Sequence, residues 1–381
     1  MANRYWVGDG GSWTRTDTTH WASSSGGSGG ETAPTYSDDV FFDSNSFTVG
    51  GQSVTGGSGS TTGRCKTLTI SGVSNSPTFD FSGDTVEVDG NATFDINATY
   101  TSSGIFEWTT SSSGTSATLT SNGATLPSFL ISKGGMTFDL ADDLICDQFT
   151  VRNGITFNSN NKNLTAASNI QFTQNFIPQT LQWTINLGTS TITVEGTAVT
   201  NVFQVDDGGD ANSTVTLNAS LATFNLYVVN SSGSLGIQLG VSGSGSTFSG
   251  SIGILNTKGR IVTFTPLSGG TPSIQNLNIL KHTSSDPTSF RTASGGTITC
   301  TDFTANGETG NKITIRSTTN GSQHTISADT ATCSFVNVQD SIASGYGTPF
   351  DATNNGTDNG NNINWIFSGT VSSFIPKCEI F

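Results

Sequence analysis

The sequence predicts an all-β protein, a single-stranded right-handed parallel β-helix (solenoid) with an aromatic N-terminal cap and a C-terminal cap. Composition is the first observation behind this. Of 381 residues only 11% are charged and 33% hydrophobic, against about 25% and 45–50% in ordinary globular chains. Gly, Ser, Thr and Asn fill about half of the chain. That is poor material for helical bundles or Rossmann-type folds, yet 24 Phe and 6 Trp are more than a structureless chain usually carries. The second observation is alternation in short bursts, as in Leu68-Thr69-Ile70, Phe79-Asp80-Phe81, Val86-Glu87-Val88, Ile192-Thr193-Val194 and Ile313-Thr314-Ile315. Period two with β-branched residues means strands, and the Gly, Ser, Asn and Asp clusters between them are turn chemistry.

A degenerate repeat is the third. Four cysteines open the same frame, a Cys followed at the third and fifth positions by apolar or small residues: Cys65 with Leu68 and Ile70, Cys146 with Phe149 and Val151, Cys300 with Phe303 and Ala305, Cys333 with Val336 and Val338. The frame recurs without cysteine at 91–96, 251–256 and 273–278. Its apolar anchors at 68, 94, 129, 149, 172, 203, 226, 255, 277 and 303 are mostly spaced by the 20 to 26 residues of one β-helical coil. The wider step from 94 to 129 is expected to be one coil with a loop extruded at 109–114. About ten to twelve coils fit between residues 60 and 345. Stacked coils bury like residues in ladders, so Leu68, Phe149, Phe303, Cys65, Cys146 and Cys300 are expected to point inward.

The ends differ from the middle, because a terminal coil must cover its core and free strand edges. Residues 1–60 hold Trp6, Trp13, Trp21, Tyr36, Phe41, Phe42 and Phe47 and are assigned to the N-terminal cap and first coils. Residues 61–345 form the helix. Residues 346–381 hold a cap closing on Trp365-Ile366-Phe367 and a tail whose Phe374, Ile375, Ile380 and Phe381 are the expected interface residues.

The net charge is −14, and the 14 Lys and Arg are scattered singly, so no basic track follows a phosphate backbone and nucleic acid is not an expected partner. No segment approaches the ~20 apolar residues of a membrane span, and the opening Met1-Ala2-Asn3-Arg4-Tyr5-Trp6 lacks a signal-peptide core. The five cysteines show no C-x-x-C pair, which fits folding in a reducing compartment. Carboxylate clusters matter here because β-helical lyases and tailspikes use them. Asp206, Asp207 and Asp210 could hold calcium through oxygen ligands or shape an Asp-Gly turn, and the turn is the expected role. Asp142-Asp143 and Asp38-Asp39 are weaker clusters. His20, His282 and His324 match no catalytic or metal spacing, and Trp6, Trp13 and Trp21 suit a core plug better than a sugar platform. No enzyme, cofactor or metal is expected.

The opening Arg4-Tyr5-Trp6-Val7-Gly8-Asp9-Gly10-Gly11-Ser12-Trp13, the following His20-Trp21-Ala22-Ser23 and Pro34-Thr35-Tyr36-Ser37-Asp38-Asp39-Val40-Phe41-Phe42-Asp43, and the closing Asn364-Trp365-Ile366-Phe367 form one pattern. It resembles the ends of β-helical structural proteins of tailed bacteriophages and of related bacterial surface proteins. The resemblance implies a virion component, commonly a homotrimer, and brings no catalytic residues. The expected function is a head decoration or cement protein bound to the major capsid protein on the capsid exterior, assembled in the host bacterial cytoplasm. The alternatives are a tail fibre or tailspike binding host surface glycan, and a bacterial surface adhesin, which would need export.

Overall fold

The structure, a computed structural model, describes residues 1–57, 63–101, 103–109, 115–173, 182–196, 199–209, 211–228, 234–267, 272–282 and 288–368. It is all-β, with no helix among the described residues. The strand pairings are parallel apart from that of Asn3–Trp6 with Trp21–Ala22.

Pairings follow three ladders, which the chain visits in a fixed order. The first ladder runs through Asp39–Phe42, Thr67–Ile70, Ala92–Thr93, Ser116–Thr120, Thr137–Leu140, Thr156–Asn158 and Gln182–Asn186. It continues in the first half of Thr214–Val228, which shifts register between Ala219 and Thr223. The second ladder takes the other half of that strand, where Ile192, Phe224, Leu255, Leu277 and Phe303 stand in register. Its N-terminal counterpart is a separate parallel sheet of Gly11–Trp13, Ser53–Gly56, Thr78–Asp80 and Thr99–Tyr100. The third ladder aligns Phe106, Phe129, Phe149, Ile170, Phe203, Ile237 and Phe264.

Alternation decides which side chains lie inside. In Thr67–Ile70, Thr85–Val88, Ser128–Ile131 and Thr137–Leu140 every second residue is buried, as a pleated strand with one apolar face requires. The buried residues form one continuous core from Trp6 to Phe367. Aromatic rings contact one another from Trp6 through Phe42, Phe79 and Phe106 to Phe138 and Phe172. Aliphatic rows dominate beyond residue 230. Leu68, Phe149, Phe303, Cys65, Cys146 and Cys300 all point inward, each at most 4% exposed.

Two expectations need correction. The step from Phe94 to Phe129 is not one long coil: Ile105–Trp108 intervenes, and Phe129 registers with Phe106 rather than with Phe94. Residues 110–114 of the expected loop lie outside the described residues. Phe203 and Leu226 also belong to different ladders, Phe203 pairing with Ile237 and Leu226 with Val194.

The cause is visible at the cysteines. Cys65 ends a third-ladder strand while Leu68 lies on the first ladder; Cys146 lies on the second ladder and Phe149 on the third; Cys300 lies on the first and Phe303 on the second. The frame is therefore a corner: an inward residue, two residues of bend, then the next inward pair. Because such corners occur between every pair of ladders, anchors taken from the frame mix the ladders. Ile96, an anchor of the frame at 91–96, follows no such corner and is 62% exposed.

Candidate functional site

Asp206 ends the third-ladder strand Val199–Asp206, and Asp207 follows it. Asp207 is fully buried, and its carboxylate accepts the backbone N–H groups of Gly209 (3.1 Å), Ser242 (2.8 Å) and Gly243 (3.1 Å). Burial pushes its carboxyl upward, but the donors of Ser242, Ser246, Gly209 and Gly243 outweigh that and hold it below the usual carboxylate range. Asp206 faces another way, accepting from Gly208 N (3.1 Å) and Gln238 Nε2 (2.8 Å). Burial, with Asp207 beside it, raises its carboxyl. N–H donors thus occupy oxygens that a hard cation would need, and Asp207 acts as a clamp between two successive turns. Asp210 lies outside the described residues, among which no group of three His, Cys, Asp or Glu is arranged to hold a metal.

Other acidic pairs are also structural. Asp38 accepts from Ala2 N, Thr35 N and Thr35 Oγ1, tying the start of the strand Asn3–Trp6 to the turn before Asp39–Phe42. Asp142 binds the amides of Ser121 and Asn122, and Asp143 that of Asn163.

The histidines stand in separate elements. His20 stacks on Trp6 with ring centres 4.6 Å apart and pairs with Asp17 at 3.0 Å. His282 is buried where the chain leaves Ser273–Leu280. His324 Nε2 lies 3.3 Å from Ser341 Oγ, a Ser–His contact that sequence spacing did not reveal. Both residues are sealed in the core, so no substrate reaches them. Burial pushes the His324 imidazole down to about 4. Trp6, Trp13 and Trp21 are at most 1% exposed and pack with Phe42, leaving no ring face for a sugar.

Two surface grooves are lined by described residues. One, of about 470 Å³, follows the corner between the first and second ladders, with Ser251, Ser273, Thr299 and Ser327 on its wall, Ile252 and Ile274 in its floor and Leu221, 70% exposed, at its side. The other, of about 420 Å³, is lined by Asp147 and Glu195 together with Ile145, Thr165 and Ala167. Asp147 is engaged by the Ser168 hydroxyl at 2.6 Å.

Beside the first groove lies the outward face of the first ladder. Its Asn side chains are themselves a chain: Asn158 Nδ2 donates to Asp139 (2.6 Å), Asn186 to Asn158 (2.7 Å) and Asn218 to Asn186 (2.7 Å). A second amide row joins Asn225, Asn256 and Asn278 at 2.8 Å steps on the second ladder. The T-x-D and T-x-N triplets at 137–139, 156–158, 184–186 and 216–218 carry the first row in the sequence. Their alignment becomes visible only once the unequal coil lengths are known. The expected interface residues Phe374, Ile375, Ile380 and Phe381 lie outside the described residues.

The chain matches no protein-family model, and no curated protein and no solved structure is similar to it.

Proposed function

We propose that the chain is a non-enzymatic virion structural protein, a head decoration or cement protein on the outer capsid surface, built as a single-stranded right-handed β-helix closed by caps at both ends. The handedness follows from the strong preference of parallel crossovers within one sheet. The observation that carries the reading is the continuous core from Trp6 to Phe367 beneath three parallel ladders. Nearly all of the described chain is spent on a stiff, stacked scaffold, while its carboxylate clusters and Ser–His contact serve turns and core. Such a scaffold suits bridging between capsid subunits, with the major capsid protein and further copies of itself as partners. The resemblance of residues 4–47 and 361–367 to phage structural proteins supports the same reading, and a homotrimer is the assembly it favours.

A second reading, a tail fibre or tailspike that binds host glycan, is favoured by the hydroxyl-lined groove at Ser251, Ser273, Thr299 and Ser327. Cryo-electron microscopy of virions distinguishes the two by position and copy number. Hundreds of copies over the shell are expected; a few copies at the tail would replace the first reading with the second, and absence from virions would remove both.

A further inference from the structure

We propose that the outward face of the first ladder is where copies of this chain meet side by side; the inference names the contact surface within the assembling structural role set out above and rests on it. Three observations lead there. From Ser116–Thr120 to Ser341–Ser344 the outward strand positions of this ladder carry two charged residues, Asp139, whose carboxylate is already engaged by Asn158, and Asp329 at the corner toward the second ladder. The other faces are charged: Glu195, Lys258 and Asp302 stand on the second ladder, Arg152, Asp206, Arg291 and Arg316 on the third. Burying a charged face against a second copy strips water from its charges, and interface centres are depleted of charge. The face with the fewest charges, most of it Thr, Ser and Asn, is the one on which two copies approach at least cost.

Pre-ordering is the second observation. Asp139, Asn158, Asn186 and Asn218 are locked by their own hydrogen bonds, and the adjacent row Thr137, Thr156, Thr184 and Thr216 is in register on β-branched side chains. Few rotamers remain to be frozen, so the ordering cost of association is small. Each Asn still has a donor and a lone pair to offer across a wet interface.

Size is the third. About ten rungs of this ladder, spaced by roughly 4.8 Å, stand about 43 Å tall. At a width of about 15 Å they bury about 650 Å² per copy, or about 1,300 Å² in a pair, within the range of stable specific interfaces. The exposed Leu221 and the groove beside it border the same face and add an apolar edge.

The test measures mass by light scattering at micromolar concentration for the full chain, for T184E/T216E on the first ladder and for T165E/T193E on the second, where the paired threonines are likewise neighbours in register. The unaltered chain and T165E/T193E are expected to run at the same multiple of 39.5 kDa, and T184E/T216E to fall to the single-chain mass with an unaltered circular dichroism spectrum. If T184E/T216E does not fold, Thr184→Cys and Thr193→Cys ask the same question through a short bis-maleimide, with copy-to-copy cross-linking expected at the first position only. A monomeric parent chain, an undisturbed T184E/T216E oligomer, or cross-linking at Thr193→Cys alone overturns the inference. An oligomer that depends on Thr184 and Thr216 yet never joins virions upholds it and tells against the virion role instead.

Discussion

Phe149 stands in register between Phe129 and Ile170 and touches Phe138, Phe157 and Phe172. Replacing it with Leu keeps the row apolar and should cost about 1 kcal/mol. Phe149→Asp leaves an unpaired carboxylate in the core and should cost more than the about 3–5 kcal/mol of a Phe→Ala truncation. Denaturant titration of both variants checks this, and equal midpoints would refute the inward assignment. The buried thiols follow the same logic. Burial raises Cys65 and Cys146 strongly and Cys300 and Cys333 to about 12, so a thiolate reagent should label none of the four before denaturation. His324 gives a pH dependence. Its folded value, about 4, lies below the ordinary imidazole value of about 6.5, so the unfolded chain binds the extra proton between these limits. The stabilisation is complete above about pH 6.5 and is lost progressively down to about pH 4, some 3 kcal/mol in all. His324→Gln should flatten that part of the stability profile; an unchanged profile would show that another group governs it.

At the scale of the element, the unit to understand is the corner. Cys65-Lys66-Thr67-Leu68 and Cys146-Asp147-Gln148-Phe149 could be recognised in the sequence because period-two burial resumes after two residues of bend, which also made the inward residues legible. Ladder membership was not legible. Corners of all three kinds share one frame, and connections of unequal length shift the spacing, so Phe149 to Ile170 is 21 residues whereas Phe203 to Ile237 is 34. The Asp207 clamp was legible only as turn chemistry, since its donors Ser242 and Gly243 come from the next coil, 35 and 36 residues away. That distance makes the clamp a link between coils. Asp207→Ala strands those two amides and should cost about 2–3 kcal/mol, whereas Asp206→Ala, at the half-exposed Gln204 and Gln238 side chains, should cost under about 1 kcal/mol. Comparable losses in thermal melts of the two variants would remove the distinction.

The whole molecule inherits its behaviour from the way its parts touch. Strand partners are separated by roughly one coil of sequence at every level, as Leu68 to Ala92, Leu255 to Leu277 and Phe303 to Ala331 illustrate. No described ladder joins the aromatic first half directly to the aliphatic second half except through the coils between them. Stability should then resemble a sum of coil terms and neighbour terms, with local opening that spreads along the stack and fades. Composition pointed to an all-β chain, and the spacing of the repeated frame pointed to stacked coils. The outward rows of Thr and Asn were hidden, since half the sequence has that composition and only the register separates a row from a random surface. Phe149→Asp therefore carries a spatial prediction as well as an energetic one. Hydrogen exchange followed by mass spectrometry should show lost protection in Ser128–Ile131, Leu144–Arg152 and Leu164–Thr173, the strands that meet at residue 149. Ser273–Leu280, Thr297–Asn306 and His324–Ser334 lie several coils away and should exchange as in the parent chain. A uniform rise in exchange across both halves would mean that the molecule opens as one cooperative unit, and the nearest-neighbour account of its stability would then be wrong.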